Sequence, residues 1–232
     1  MRLINGKQHD IVLMTPEVQE HFENPYNYTK EICDQFANDY YKDIVTPGET
    51  LLDIGANVGL FSLHVHPYFN RIICVEPTPS HFEKLKLLMA DIIHTDPPGK
   101  FQGIKQLRVE FENSALNSYT GETTFYWCGI NTTMNSLQQR GDRNMQVPCI
   151  TLEDLLKKYH LDSVDFTKID IEGSEDAAIT TDTLRPVAGK LKKVFIELHP
   201  PTNEQQAKFQ AIFESVGYKV ERYVHDSLIC TI

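Results

Sequence analysis

Five acids stand at positions where an α/β chain does its chemistry. Asp53, Glu76, Asp170, Glu172 and Glu197 each lie at or just past the end of an apolar run, and His199 follows two residues after the last. In open α/β sheets, ligands settle outside the carboxyl ends of the strands, near the point where the winding reverses. A single acid there can cap a helix or complement its dipole. Five together describe a polar, acid-lined crevice. Such a crevice suits a ribose, an α-amino group and a cationic centre such as a sulfonium.

The first acid opens the segment Asp53 to Gly59 (DIGANVG), which carries Gly55, Ala56, Asn57 and Gly59. A buried strand, a tight turn and a helix start would read this way. Asn57 stands where a dinucleotide fingerprint places its middle glycine. By itself the turn could simply close a strand–helix corner. Glu76 changes its meaning. It ends a second apolar run, 71–76, and lies 23 residues after Asp53. A strand–turn–helix–strand unit with an acid at its second strand end can hold both hydroxyls of a ribose.

The elements that must position these acids alternate. A strand is expected over 50–54, a short helix after Gly59 that Pro67 interrupts, and a second strand over 71–76. A capping-box pattern at Ser80–Glu83 starts the next helix, and a third strand runs over 104–111. Then the rhythm changes. Two β-type runs, 123–127 and 147–150, flank a polar stretch, so 119–150 reads as a hairpin insertion with a long loop. Alternation resumes with a helix over 152–159 capped by Thr151, a strand over 164–171, a helix over 175–184, and a strand over 193–198. A helix over 203–216, capped by Asn203, precedes two final strands, 218–223 and 227–232. The turn between these two is too short for a crossover, so they pair antiparallel. A plain dinucleotide fold would continue its parallel alternation. The expectation is therefore α/β: a Rossmann-like, class I methyltransferase architecture. Its seven-stranded sheet is mostly parallel with one antiparallel strand, helices cover both faces, and a β-hairpin is inserted. Residues 1–46 read as a helical or irregular extension, with a strand at 11–14 and an amphipathic helix over 31–44. Residues 47–232 form the main domain.

Bulk properties narrow the function classes. A formal net charge of −10 lacks the basic footprint of a general nucleic-acid binder. Five widely spaced cysteines with no CxxC pair suggest neither a zinc site nor a disulfide framework. No apolar run reaches the ~20 residues that span a bilayer, and no secretory pattern opens the chain. A cytoplasmic setting, no membrane and no nucleic-acid partner are expected. Oligomeric state is open.

The motifs as a set resemble the FkbM family of S-adenosylmethionine-dependent methyltransferases. The resemblance rests on the 53–59 segment followed by Phe61-Ser62, on Val75 to Pro79 (VEPTP), Thr151 to Asp154 (TLED), Lys168 to Gly173 (KIDIEG) and Ile196 to Pro200 (IELHP). It covers about 47–201. Ala90-Asp91-Ile92 and Ser174-Glu175-Asp176 depart from its usual residues. The resemblance implies S-adenosylmethionine as methyl donor and a hydroxyl oxygen of a small molecule or sugar as acceptor. Carried over, Asp53 and the turn of Gly55, Ala56, Asn57 and Gly59 would bind the methionine end. Glu76, beside Pro77, would take the ribose hydroxyls. Asn113 and Ser114 would sit beside the adenine, and Asp170 near the sulfonium and the acceptor.

Methyl transfer needs alignment of acceptor and methyl above all. An alcohol must also lose a proton, and a base could contribute about 10²–10⁴-fold. Asp170, Glu172, Glu197 and His199 are the candidates. An Asp/Glu pair could instead hold a divalent metal, but no third ligand is evident, so no metal is expected. Lys168, Asp170 and Glu197 are similar to part of the Lys-Asp-Lys-Glu tetrad of RNA ribose 2′-O-methyltransferases. A second lysine is not evident there. A non-catalytic, cofactor-holding scaffold is a further alternative, as is a nicotinamide-dependent oxidoreductase, which Asn57 and the antiparallel ending disfavour. The 119–150 insertion, with Trp127 and residues 131–135, is the candidate acceptor lid.

Overall fold

The computed structural model describes residues 3–4, 7–8, 41, 43–95, 107–127, 136–138, 143–223 and 226–232. The chain divides into two compact units, Met1–Val45 and Thr46–Ile232. In the first, β1 (Leu3–Ile4) pairs antiparallel with β2 (Lys7–Gln8). The strand expected at 11–14 and nearly all of the helix expected over 31–44 lie outside the described residues.

The second unit is built on a seven-stranded sheet of order β11-β12-β10-β9-β3-β4-β5. Its strands are β3 (Thr50–Ile54), β4 (Arg71–Val75), β5 (Arg108–Glu112), β9 (Phe166–Ile169), β10 (Lys193–Glu197), β11 (Lys219–Tyr223) and β12 (Ser227–Thr231). Every pair from β10 to β5 is parallel, while β12 runs against both β10 and β11. The mostly parallel sheet with a reversed strand next to its edge is therefore present as the sequence implies. Central strands covered on both faces read as continuous apolar runs. All five residues of β3 are buried, and Leu52, Ile54, Ile73, Ile169, Val194 and Ile196 are fully enclosed. Each such side chain stabilises the fold by roughly 1.5–3 kcal/mol. The edge strand β11 is instead polar, with a Lys219–Glu221 ion pair of 2.6 Å along it, a pattern that discourages edge-to-edge pairing.

The helices are α1 (Leu60–Val65), α2 (Pro79–Thr95), α3 (Leu152–Lys158), α4 (Glu175–Ala178), α5 (Thr181–Leu184) and α6 (Asn203–Ser215). Three boundaries differ from the sequence expectation. First, α2 starts at Pro79 rather than behind a Ser80 cap, since proline's fixed φ and missing N–H suit a first helical position. Second, the cap of α6 is Thr202, whose side chain accepts from the Gln205 N–H, and not Asn203. Third, the single helix expected over 175–184 is two. Ile179 is extended, and Thr180 and Thr183 form a reciprocal capping box that starts a second turn of helix. Threonine side chains offer the backbone a local alternative to helix continuation, and β-branched neighbours weaken it. The third core strand is described from Arg108 to Glu112, and residues 104–106 of the stretch expected for it lie outside the described residues.

The insertion forms its own sheet. β6 (Ala115–Leu116) lies parallel to β8 (Arg143–Ile150), and β7 (Gly121–Trp127) lies antiparallel to it. Residues 128–135 and the Trp127 side chain, the proposed heart of a lid, lie outside the described residues.

One close approach governs the middle of the main sheet. A Cβ added to Gly55, which sits at φ +79°, would lie 1.7 Å from the Asp170 carbonyl oxygen. Gly55→Ala should therefore displace backbone as well as incur the left-handed penalty of ~1–2 kcal/mol. Adding a typical overpacking cost of ~1–3 kcal/mol, the thermal midpoint should fall by several degrees or the chain should fail to fold. Gly189→Ala, whose added Cβ meets nothing within 4 Å, should leave the midpoint within about a degree of wild type by calorimetry.

Candidate functional site

The site is built at the carboxyl edge of the parallel strands, where β3 has β4 on one side and β9 on the other. The chain winds outward from β3 to β4 and β5, then returns to β9. The turns leaving β3 and β9 therefore diverge, which opens a crevice at this reversal.

The turn after β3 is pinned to the end of β4. The N–H groups of Gly55 and Ala56 both donate to the Val75 carbonyl at 2.9 Å. The Asn57 N–H donates to Glu76 Oε2 at 2.9 Å, and Glu76 Oε1 accepts from the Thr78 N–H at 2.8 Å. Gly55, Asn57 and Gly59 all have positive φ. Asparagine tolerates that region better than other side chains, so Asn57 replaces a glycine without breaking the turn. Burial pushes Glu76 up to about 7, against the pull of the Thr78 and Asn57 N–H groups. His81 Nδ1 lies 3.7 Å from Glu76 Oε1. Burial and the nearby Lys84 lower this imidazole to about 4, which leaves it neutral.

Asp53 is fully buried under the turn. Its Oδ2 accepts from Ser62 Oγ at 2.6 Å, tying β3 to α1, while its Oδ1 has no hydrogen-bond partner. Burial raises its carboxyl above the ordinary range, with Lys168 pulling the other way. Asn113 follows β5, and its Nδ2 donates to the carbonyls of Glu76 (2.8 Å) and Pro77 (3.2 Å). Ser114 is buried, with Oγ donating to Glu112 Oε1 at 2.5 Å. The residues expected around a ribose and an adenine thus lie together at the ends of β4 and β5.

A second group gathers at the ends of β9 and β10. Lys168 Nζ donates to Asp170 Oδ2 at 2.8 Å. Glu172 has φ 54° and Gly173 φ 92°. For a glutamate this conformation costs of order 1–3 kcal/mol and persists only where the surroundings enforce it. It brings Glu172 Oε2 to 3.8 Å from His199 Nε2, which also lies 3.6 Å from Glu197 Oε1. The four expected proton-handling residues, Asp170, Glu172, Glu197 and His199, are therefore neighbours. Their fields are mutual. Burial and the charge of Asp170 raise Glu172 to about 7. The charge of Asp170 and burial raise Glu197 to about 8. Burial opposes charge on His199, yet Glu175, Asp170, Glu172 and Glu197 together raise it to about 9.

Sequence reasoning missed Glu175. It reads as an ordinary first-turn acid of a helix, but the fold buries it fully. Its Oε1 accepts from the Gly173 N–H at 3.1 Å and faces His199 Nδ1 at 3.7 Å. No signal in the sequence marks it, because an acid in the first turn of a helix is ordinarily solvated. Also missed was the docking of the insertion. Ser136 pairs with Tyr126 through reciprocal backbone bonds, and the Leu137 N–H donates to Ser174 Oγ at 2.9 Å. Among the described residues, no helix is long and apolar enough to cross a membrane.

Comparison with known proteins bears on this edge directly. Residues 53–222 match the methyltransferase FkbM domain. Among solved structures, the methyltransferase FkbM from Methylobacillus flagellatus KT aligns with a TM-score of 0.53 at 14% identity, over 93% of this chain and 57% of that one. The chain thus spans less than two thirds of that protein's length. The magnesium protoporphyrin IX methyltransferase from Synechocystis PCC 6803, solved with bound SAM, aligns over 94% of this chain and 83% of its own, at 11% identity and a TM-score of 0.47. No curated protein matches. The first likeness shows the fold. The family match runs from Asp53 at the end of β3 to Arg222 in β11, most of the chain, and by it the chain belongs to the FkbM methyltransferase family.

Proposed function

We propose that this chain moves the methyl group of S-adenosylmethionine to a hydroxyl oxygen of a small-molecule or sugar acceptor. One observation carries the cofactor reading. Glu76, at the end of β4, presents a carboxylate beside the pinned turn, where the ribose diol of an adenosine cofactor would lie. The residues fit such a group. Glu76 accepts one N–H on each oxygen, and a carboxylate oxygen has capacity for a second donor. Asp53 Oδ1 is an orphaned buried acceptor at the same edge, and an α-amino group would satisfy it. Asn113 and Ser114 close the adenine side. When bound, the cofactor supplies a methyl on a cationic sulfur. The protein's own residues orient it, and the acids at the ends of β9 and β10 favour positive charge nearby.

The acceptor reading rests on the second group. Asp170 stands beside Glu172, Glu197 and His199, and the last three have raised proton affinities, the usual signature of a site that manages a proton. An alcohol needs that help and a thioether does not. The insertion supports an acceptor-facing role of its own, since Ser136 and Leu137 meet Ser174, two residues past Glu172.

Thermal-shift measurements with S-adenosylmethionine, S-adenosylhomocysteine and NAD(H) test the cofactor. Stabilisation by the first two is expected, and stabilisation by NAD(H) alone would sink the proposal. Binding of S-adenosylmethionine without turnover on any hydroxyl acceptor would leave a scaffold instead. Glu76→Ala should weaken S-adenosylhomocysteine binding by roughly 1.5–3 kcal/mol per lost charge-assisted hydrogen bond, or about ten- to a hundredfold in Kd.

Glu76 also gives a pH prediction. Its folded pKa is raised to about 7, so its contribution to stability is fully present below the ordinary value of 4.5 and is lost as pH rises through 7. The ionised carboxylate is the stronger acceptor, so homocysteine-cofactor affinity should rise over the same interval. Wild type should therefore lose thermal midpoint relative to Glu76→Gln between pH 5 and pH 8, while gaining affinity for S-adenosylhomocysteine relative to it. Parallel pH profiles of the two proteins would show that Glu76 is not the titrating contact.

A further inference from the structure

The acids at the ends of β9 and β10 gather around the His199 ring. His199 Nε2 faces Glu172 Oε2 at 3.8 Å and Glu197 Oε1 at 3.6 Å, and its Nδ1 faces Glu175 Oε1 at 3.7 Å. Hydrogen bonds to nitrogen close at about 2.7–3.2 Å, so none of these contacts is one. Asp170 gives Oδ2 to Lys168, but its Oδ1 is buried without a partner. His199 Nδ1 and Glu175 Oε2 are also buried and unpartnered. The Glu175 side chain is fully enclosed and turned toward the His199 ring. Four carboxylates thus crowd one imidazole and the Lys168 ammonium. An apolar filling would leave these oxygens unsatisfied, at about 1–3 kcal/mol or more each.

The spacing suits a cation better than a proton. A proton bridges one pair of atoms at short range. An ion bonded at about 2.0–2.2 Å spans ligand pairs up to about 4.4 Å apart. Among the described residues, Asp170, Glu172 and His199 form the one group of three that offers ligand atoms all within 4.8 Å of one another. Shifts of a few tenths of an ångström per side chain would close that set. All three side chains are partly open, so coordination positions remain for water or an acceptor oxygen. Imidazole with two carboxylates is a mixed nitrogen–oxygen set, of the kind first-row divalent ions accept. Glu175 stands where the orienting carboxylate behind a ligating histidine belongs. By accepting from Nδ1–H it would leave the Nε2 lone pair facing Glu172.

We propose that Asp170, Glu172 and His199 bind a divalent metal cation, with Glu175 positioning the histidine. The sequence named all three as proton-handling candidates but did not join them as a ligand set, because His199 lies on another strand's end. The role of the cation rests on the methyl-transfer reading, since it supplies the Lewis acidity that an alcohol acceptor needs. Its binding does not rest on that reading.

The test uses the chain freed of metal by a chelator and titrated with Mn²⁺, followed by calorimetry, by the loss of free-ion signal in electron paramagnetic resonance, and by thermal midpoint. One Mn²⁺ per chain and a raised midpoint are expected. Glu172→Gln and His199→Ala should each weaken Mn²⁺ binding at least tenfold, and Glu175→Gln by about 10–100-fold, the range for orienting partners. Glu221→Gln, on the exposed edge strand, should leave it unchanged. If His199→Ala fails to fold by circular dichroism, Glu172→Gln decides, because that side chain is partly exposed. No retained Mn²⁺, or retention unchanged in folded Glu172→Gln, overturns the proposal. S-adenosylhomocysteine is added to the same chelated chain. Stabilisation by it without Mn²⁺ binding removes the cation site and keeps the cofactor, whereas Mn²⁺ binding without it does the reverse.

Discussion

The meeting of Gly55 with the Asp170 carbonyl is the constraint on which the rest of the edge depends. Two parallel strands, β3 and β9, end side by side, and their exits must part in opposite directions. Gly55 makes this possible by carrying no Cβ and by adopting a left-handed conformation. The Asp170 N–H in turn donates to the Ile54 carbonyl at 3.0 Å. Once this contact is set, the turn of Asn57 falls against Glu76 on one side, and Asp170 and Glu172 fall against His199 on the other. Two groups of carboxylates, one on each side of the reversal point, follow from one small residue there.

The carboxylates themselves are an electrostatic burden that the fold accommodates unevenly. On the β4 side the acid is well provided for. Glu76 has a backbone N–H on each oxygen, and it stays in place even though burial makes its ionisation harder. On the β9–β10 side the acids outnumber the donors. Lys168 donates to Asp170, and Glu172 is held in a backbone conformation that a glutamate avoids when free. Strain and unpaired oxygens at one spot, beside a relaxed and satisfied neighbour, separate two roles. The first wall has its acid satisfied by backbone donors. The second is built to be completed by something positive.

Much of this was legible in the sequence, and the limits of that legibility are physical. The sheet could be read because both-face burial writes unbroken apolar runs, as in Thr50–Ile54, and because a short polar turn before 227–232 permits only an antiparallel return. Glu76 could be read because its distance from Asp53 is fixed by one strand–helix–strand unit. The helix over 175–184 was misjudged because Thr180 and Thr183 cap each other, a competition that apolar periodicity does not register. Glu175 was hidden too, since a first-turn acid reads as a solvated helix residue and here is fully buried. His199 was legible as a candidate, though only as a rim residue after a strand. Glu197 precedes it by two residues, but Glu172 and Glu175 come from the loop after β9, and no spacing rule joins that loop to His199.

The insertion occupies the remaining position of consequence. Its small sheet hangs on the main domain through β6, and Ser136 and Leu137 reach Ser174 between Gly173 and Glu175. That loop carries the strained Glu172 on one side of the contact and the buried Glu175 on the other. A change in the insertion can therefore alter the acid group by shifting Ser174, with no change to the main sheet or to the Glu76 wall. The contact itself is made by two serines and one backbone N–H, while Leu116 of β6 and Ile150 of β8 anchor the small sheet in the main core.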